Sequence, residues 1–238
     1  MKLTIAHLYY DIANLYGEAG NVTVLSHYLQ DQGVEVEIKK ISLKEEFSWN
    51  DYQFVYIGAM TENNLRIVLE DLRRYTKDIQ EYLAKGGYLL ATGNAFEMFG
   101  NYIDQISEKG LGIFGYQTKK LEKRLMSEVI LENGEHDVVG FQNQISVVTN
   151  VEHPWFVGVK QGMGANDEHA YEGVCENHFY GSYVVGPLLA RNPYLTKWFV
   201  KELLQFYDEN HEFEEIPYTL DEQAYESYKK IIKNLYKM

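Results

Sequence analysis

Along the N-terminal part of the chain, short unbroken apolar runs alternate with stretches in which apolar residues recur at helical spacing. Residues 3–8 form the first run and read as a strand. A polar, glycine-bearing loop over 11–21 separates it from a helical pattern over 22–32, which Gly33 closes. Over 34–41, Val34, Val36 and Ile38 alternate with Glu35, Glu37 and Lys39, the period of a half-buried strand at a sheet edge. Residues 54–58 are a buried strand ending in glycine. One long amphipathic helix is predicted over 64–85, with Leu65, Val68, Leu69, Leu72, Tyr75, Ile79, Tyr82 and Leu83 on one face and Gly86-Gly87 behind it. The apolar run 88–92 is the next buried strand, and it leads directly into Gly93-Asn94-Ala95 and a short helix over 96–106.

Strands alternating with helices of this length imply βαβ units with right-handed crossovers. The expected fold class is therefore α/β, with a mostly parallel central sheet flanked by helices. Between about 110 and 183 the chain is rich in glycine and β-branched residues, and short strands are predicted over 127–131, 138–141, 145–149, 156–160 and 179–185. Two helical patterns follow, 194–207 and 220–236, the first opened by Asn192-Pro193, with proline where a helix start tolerates it. Between them the acidic run 209–215 reads as a solvated loop. Tyr225, Tyr228, Ile231, Ile232 and Leu235 give the last helix an apolar face that packs on the sheet. No repeat or linker-like stretch interrupts the chain. Residues 1–238 are read as one domain with a helical extension over about 209–238.

Charge narrows the partners. Lys and Arg number 22 against 35 Asp and Glu, a net charge of −13. That field repels nucleic acid and anionic membrane surfaces, leaving a small molecule or another protein. Cys175 is the only cysteine, so no internal disulfide forms, and a structural role in the interior is expected for it. No apolar stretch suits a signal peptide or a bilayer span, so no membrane insertion is expected and the expected compartment is the cytoplasm. No metal-ligand spacing or P-loop is present, and Gly110-Leu111-Gly112 does not extend to a dinucleotide fingerprint, so neither metal nor cofactor is expected.

In open parallel sheets, ligands sit beyond the C-terminal ends of the strands. Three junctions fall there: the loop 11–21, Gly58-Ala59-Met60-Thr61, and Thr92-Gly93-Asn94-Ala95. A sharp strand-to-helix turn that presents one side chain above the sheet is the geometry of a nucleophile elbow. Glycine at the tip has no side chain to present, and by itself Gly93 reads as a tight turn.

Several motifs change that reading. Residues 11–21, DIANLYGEAGN, are similar to "LNIYGDRGN"; 110–114, GLGIF, to "GLGLF"; 140–144, GFQNQ, to "GFENH"; and 180–193, YGSYVVGPLLARNP, to "FGTYLHGPLLPKNP". In this order and spacing the chain resembles the class I glutamine amidotransferases of the cobyric acid synthase type, and among them the glutaminase subunits of lipid II isoglutaminyl synthase. The resemblance implies their flavodoxin-like fold and a Mur-ligase-like or other amide-forming synthase partner. The departures fall on the chemistry. The cysteine of "ICGGYQLLG" falls on Gly93, the histidine of "LHGPLL" on Val185, the histidine of "GFENH" on Gln144, and the glycine-rich oxyanion turn on Gly58-Ala59-Met60-Thr61. The arginine that grips the α-carboxylate of glutamine falls on Arg124.

Glutamine hydrolysis by this route needs a thiolate, a base and oxyanion donors. Glycine and valine supply neither of the first two, so no catalytic residue is assigned and no glutaminase activity is expected. A retained pocket for a small amino-acid-like ligand would use Arg124, Gly58, Ala59, Asn94 and Gln144. The alternatives are a different reaction at the same cleft using Asp11, Glu97 or His178, with His153 a second histidine within reach; a glutaminase-type subunit acting in cobyric acid or peptidoglycan precursor amidation; and a structural relic without a ligand.

Overall fold

The structure is a computed structural model that describes residues 1–165 and 170–236. Its centre is a six-stranded sheet. The N-terminal βαβ pattern supplies β1 (Lys2–Leu8), β2 (Glu35–Ile41), β3 (Phe54–Ile57) and β4 (Tyr88–Thr92). Two short strands follow, β5 (Tyr102–Ile103) and β6 (Glu108–Lys109). Then come the long β7 (Gln117–Leu131) and β8 (Val138–Thr149), and after them β9 (Val159–Gln161), β10 (Val174–Glu176), β11 (Phe179–Ser182) and β12 (Val184–Val185). The central sheet has the order β10-β11-β4-β3-β1-β2. All its pairs are parallel except β10 with β11. β3 and β4 are buried at every position, as continuous apolar runs require in a sheet covered on both faces.

Helices α1 (Ala19–Asp31) and α5 (Pro193–Tyr207) cover one face, where Leu25, Leu29, Phe199 and Leu203 meet Phe54 and Leu90. Helices α2 (Glu62–Leu72) and α3 (Thr76–Ala84) cover the other, where Leu65, Leu69 and Ile79 meet Val55 and Leu89. A second, antiparallel sheet of order β12-β8-β7-β9 stands beside the first. The short α4 (Leu188–Arg191) leads into α5, and α6 (Thr219–Leu235) ends the chain.

Several expectations are corrected. The helix predicted over 64–85 is two helices, broken at the 3₁₀ turn Arg73–Tyr75. Thr76 Oγ1 donates to the Arg73 carbonyl at 3.0 Å, competing with the helical ladder, and the Tyr75 ring turns inward against Phe47 at 4.8 Å. The helix predicted over 96–106 is a 3₁₀ segment, Gly93–Phe99, followed by β5. Here the loop over 111–116 takes the carbonyls that an α-helix would use. Leu111 N donates to Met98 O, Ile113 N and Phe114 N to Phe99 O, and Tyr116 Oη to Phe96 O. The strands predicted over 138–141 and 145–149 are the single β8, and the strand predicted over 156–160 shrinks to β9, with Phe156 making an isolated bridge to Glu172. The last helix packs as a helix should, but on the antiparallel sheet. Tyr225 and Ile232 are buried against Ile130 and Val139, while Ile231 and Leu235 stay exposed.

Candidate functional site

Strand β4 ends at Thr92, and Gly93 turns the chain with φ +61°, a left-handed conformation in which a side chain is strained. Above it lies a cavity of about 240 Å³ lined by Gly93, Asn94, Ala59, Val185, Gln144 and Arg124 together with others. Five residues predicted for a ligand or as former chemistry are thus brought together with Arg124 at one mouth. Gly58 is not among the lining residues. It lies under the site, where a Cβ would collide with the Ala13 carbonyl.

The site keeps the elbow but leaves no room for a side chain at its tip. A Cβ built on Gly93 would sit 2.5 Å from Ala59 Cβ and 3.1 Å from Val185 Cγ1. Val185 arrives there because the predicted strand 179–185 switches sheets. β11 pairs with β4 in the central sheet, Tyr183 interrupts, and β12 pairs with β8 in the other. The turn after β3 is also occupied. Asn94 Oδ1 accepts from Met60 N at 3.0 Å, and Asn94 Nδ2 donates to Met60 O at 2.9 Å. Ala59 N donates to Glu18. Two backbone amides of the oxyanion-like turn therefore already hold side-chain partners from this chain. An oxyanion hole requires amides aimed at the reacting atom instead.

Beneath the elbow runs a buried polar layer that the sequence reading missed. Glu18, fully buried, accepts from Tyr56 Oη at 2.8 Å, from Gly186 N at 2.9 Å and from Thr92 Oγ1. Asn21 Nδ2 donates to Tyr56 Oη at 2.8 Å, and Asn21 Oδ1 accepts from Leu189 N at 2.7 Å. Burial pushes the Glu18 carboxyl up, opposed by these donors, and pushes the Tyr56 phenol well up. Gly20 packs under Pro187, where a Cβ would lie 2.6 Å from Cγ. Two motifs of the sequence, the one ending GEAGN and the one containing GPLL, bond to each other here, a pairing that only the fold reveals.

At the mouth, Arg124 is ion-paired with Glu62 and donates to Asn143 Oδ1 at 3.3 Å. Gln144 Nε2 donates to Ser146 O at 3.0 Å. Glu97 also lines the cavity, accepting from Gln105 Nε2 at 2.6 Å and Tyr183 Oη at 2.9 Å; burial pushes its carboxyl up to about 7.

The other candidates lie elsewhere, and two expectations are corrected. His178 is not within reach of the cavity: its Nδ1 bonds Gly86 O at 2.9 Å and its ring stacks on Tyr88, at the opposite end of β4. His153 lines a different hollow, with Asn150 and Glu176. Asp11 accepts from Ser42 Oγ at 2.7 Å, outside the cavity lining. Cys175 lies on the edge strand β10, half-buried, and burial pushes its thiol up to about 11. Among the described residues no His, Cys, Asp and Glu group is placed to hold a metal, and no helix is long and apolar enough to cross a membrane.

Comparison with known proteins agrees with this architecture. Two solved structures share the fold: the PurLQS complex of Thermotoga maritima (12% identity, 87% of this chain and 99% of that one, TM-score 0.56) and a glutamine amidotransferase (13%, 84% and 98%, TM-score 0.57). In sequence, the chain is 31% identical to the GatD subunit of a glutamine-hydrolyzing lipid II isoglutaminyl synthase from Streptococcus pneumoniae, over 82% of this chain and 78% of the relative. It is 25% identical to the GatD subunit from Staphylococcus aureus, over 84% of each. The family model for the CobB/CobQ-like glutamine amidotransferase domain matches residues 4–193. The chain belongs to the CobB/CobQ-like glutamine amidotransferase family.

Proposed function

We propose that this chain is a catalytically silent amidotransferase-like subunit, acting by binding within an amide-forming synthase of peptidoglycan precursors, beside a Mur-ligase-like partner. The observation that carries the reading is the filled elbow. Ala59 Cβ and Val185 Cγ1 occupy the space a thiol at position 93 and a facing imidazole would need. Glycine offers no nucleophile and valine moves no proton, and in a triad that acts as a unit such losses cost about 10⁶ in kcat. The occupied amides of Ala59 and Met60 add to this. The two curated relatives, named as glutamine-hydrolyzing lipid II isoglutaminyl synthase subunits, support the synthase setting. With Arg124 paired to Glu62, a carboxylate-bearing ligand would have to displace an internal one, which favours a scaffold over glutamine capture.

Two measurements test this. Ammonia release from glutamine should stay at the heat-treated background, for the chain alone and after mixing with the ligase subunit; turnover in either case refutes silence. A tagged chain should retain a Mur-ligase-like protein from its own organism, and its failure to do so would remove the scaffold role.

A further inference from the structure

We infer that helix α6 is an interface for a second copy of this chain, packed antiparallel on the helix face that the fold leaves uncovered. One side of α6 is spent on the body of the protein. Tyr225 and Ile232 are buried against Ile130 and Val139, and the Tyr228 ring covers the Arg191 guanidinium at 4.3 Å. The helix carries a second apolar stripe. Leu220, Ala224, Ser227, Ile231 and Leu235 follow one another at steps of three or four residues, so they share one side and keep the period of a two-helix seam. All five are exposed, and Leu220 (80%), Ile231 (56%) and Leu235 (55%) are among the most exposed large apolar side chains described. This helix lies outside residues 4–193, the span that the family model matches.

Charge selects the occupant. The first half of α6 is acidic, with Asp221, Glu222 and Glu226, and the second half is basic, with Lys229, Lys230 and Lys233. Three of these are spent within the chain: Asp221 on Tyr28, Glu222 on Lys197 and Lys229 on Asp137. Glu226, Lys230 and Lys233 are exposed and have no ion-pair partner among the described residues. A second copy laid antiparallel, with the two-fold axis beside Ser227, sets Leu220 against Leu235 and the small Ala224 against the larger Ile231. The same register brings Glu226 within one residue of Lys230 of the second copy, and the symmetry makes that contact twice. A parallel copy in register would instead oppose Glu226 to Glu226 and Lys230 to Lys230. Over most of its surface a net charge of −13 makes one copy repel another, and the basic half of α6 is a place where an acidic helix half can dock. The stripe spans about 16 residues, roughly 24 Å of helix, so the interface is small and the dimer weak and concentration-dependent.

The test is sedimentation equilibrium of the full chain from about 1 μM to about 1 mM, the range of weak association. A monomer–dimer equilibrium is expected. Ile231→Glu should hold the chain monomeric throughout, with the circular dichroism spectrum and thermal midpoint of the wild type, because Ile231 is exposed in the single chain. Lys230→Glu should weaken dimerisation about tenfold, since both symmetric contacts with Glu226 turn repulsive. Combining it with Glu226→Lys should bring the dissociation constant back to within about threefold of wild type, a rescue that only the antiparallel register gives. A wild-type chain that stays monomeric overturns the inference, as does a dimer that survives Ile231→Glu or a charge swap that fails to restore it. If the chain is monomeric and Ile231→Glu instead lowers retention of a Mur-ligase-like protein, the face belongs to that partner and the inference falls. None of these results bears on ammonia release, by which the silence of the chain is read.

Discussion

Two layers of the cleft have had different fates. The upper layer, where chemistry would happen, is Ala59, Gly93 and Val185, packed against one another without a reactive atom. The lower layer, one residue deeper, is Glu18, Asn21, Tyr56 and Thr92, a closed hydrogen-bond network joining the loop after β1, helix α1, two central strands and the Gly186 turn. On the proposed silent-subunit reading, chemistry would rest on the upper layer and the joining of elements rests on the lower one, so the first can be given up while the second is kept.

The comparison breaks first if the lower layer is expendable. Glu18→Leu would leave Tyr56 Oη, Gly186 N, Ala59 N and Thr92 Oγ1 without their shared acceptor. Breaking such a buried network should lower stability by about 3–5 kcal/mol, read from urea unfolding. A loss below about 1 kcal/mol would mean the network is incidental to the fold.

Next in size is the upper layer itself. Gly93→Cys forces a side chain onto φ +61° and a Cβ to within 2.5 Å of Ala59 Cβ. The strain and overpacking together should cost about 2–4 kcal/mol. Adding Ala59→Gly should recover part of that. Neither variant should release ammonia from glutamine, because Val185 remains where a base is needed. Turnover by the single variant would show that the layer is not closed to chemistry.

How much of this was legible in the sequence follows the same division. The βαβ core was readable because β3 and β4 are unbroken apolar runs and α1 and α5 carry clear helical periods. By itself Gly93 reads as a tight turn, and its place at the tip of an elbow was readable only through the motifs that carry the family resemblance. The lower layer was not, since Glu18 sits in a polar, glycine-bearing loop and only the fold brings it under Thr92. The 3₁₀ segment after Gly93 was missed for a similar reason: its carbonyls are captured by the loop over 111–116, a partner that local pattern cannot reveal. Asn94 closing on the Met60 backbone is again a tertiary fact.

A third test separates Glu97 from its surroundings. Its folded-state value is raised from 4.5 to about 7 by burial, so the folded state holds a proton that the unfolded state has lost. Glu97 thus favours the fold fully below about 4.5, and that contribution is lost as pH rises through about 7. Glu97→Gln removes the titration. The stability difference, variant minus wild type, should grow by at most about 3 kcal/mol across that window and level off above it. A flat difference would place Glu97 among ordinary surface carboxylates, contrary to its burial.

The smallest effect belongs to the mouth of the cleft and sharpens the comparison most. Arg124 and Glu62 are each exposed by two-fifths or more (41% and 44%), so their pair is screened by water. Arg124→Ala should change unfolding free energy by only about 0.2–1 kcal/mol. Its consequence lies in charge, because the cavity then keeps Glu62 and Glu97 with no lining cation among the described residues. Any carboxylate-bearing amino acid should bind more weakly to the variant than to wild type, read by thermal shift. Amino-acid binding left intact would mean that Arg124 does not meet the carboxylate of a ligand. The division between a reactive layer given up and a framework retained would then have to be drawn at the rim, not at the elbow.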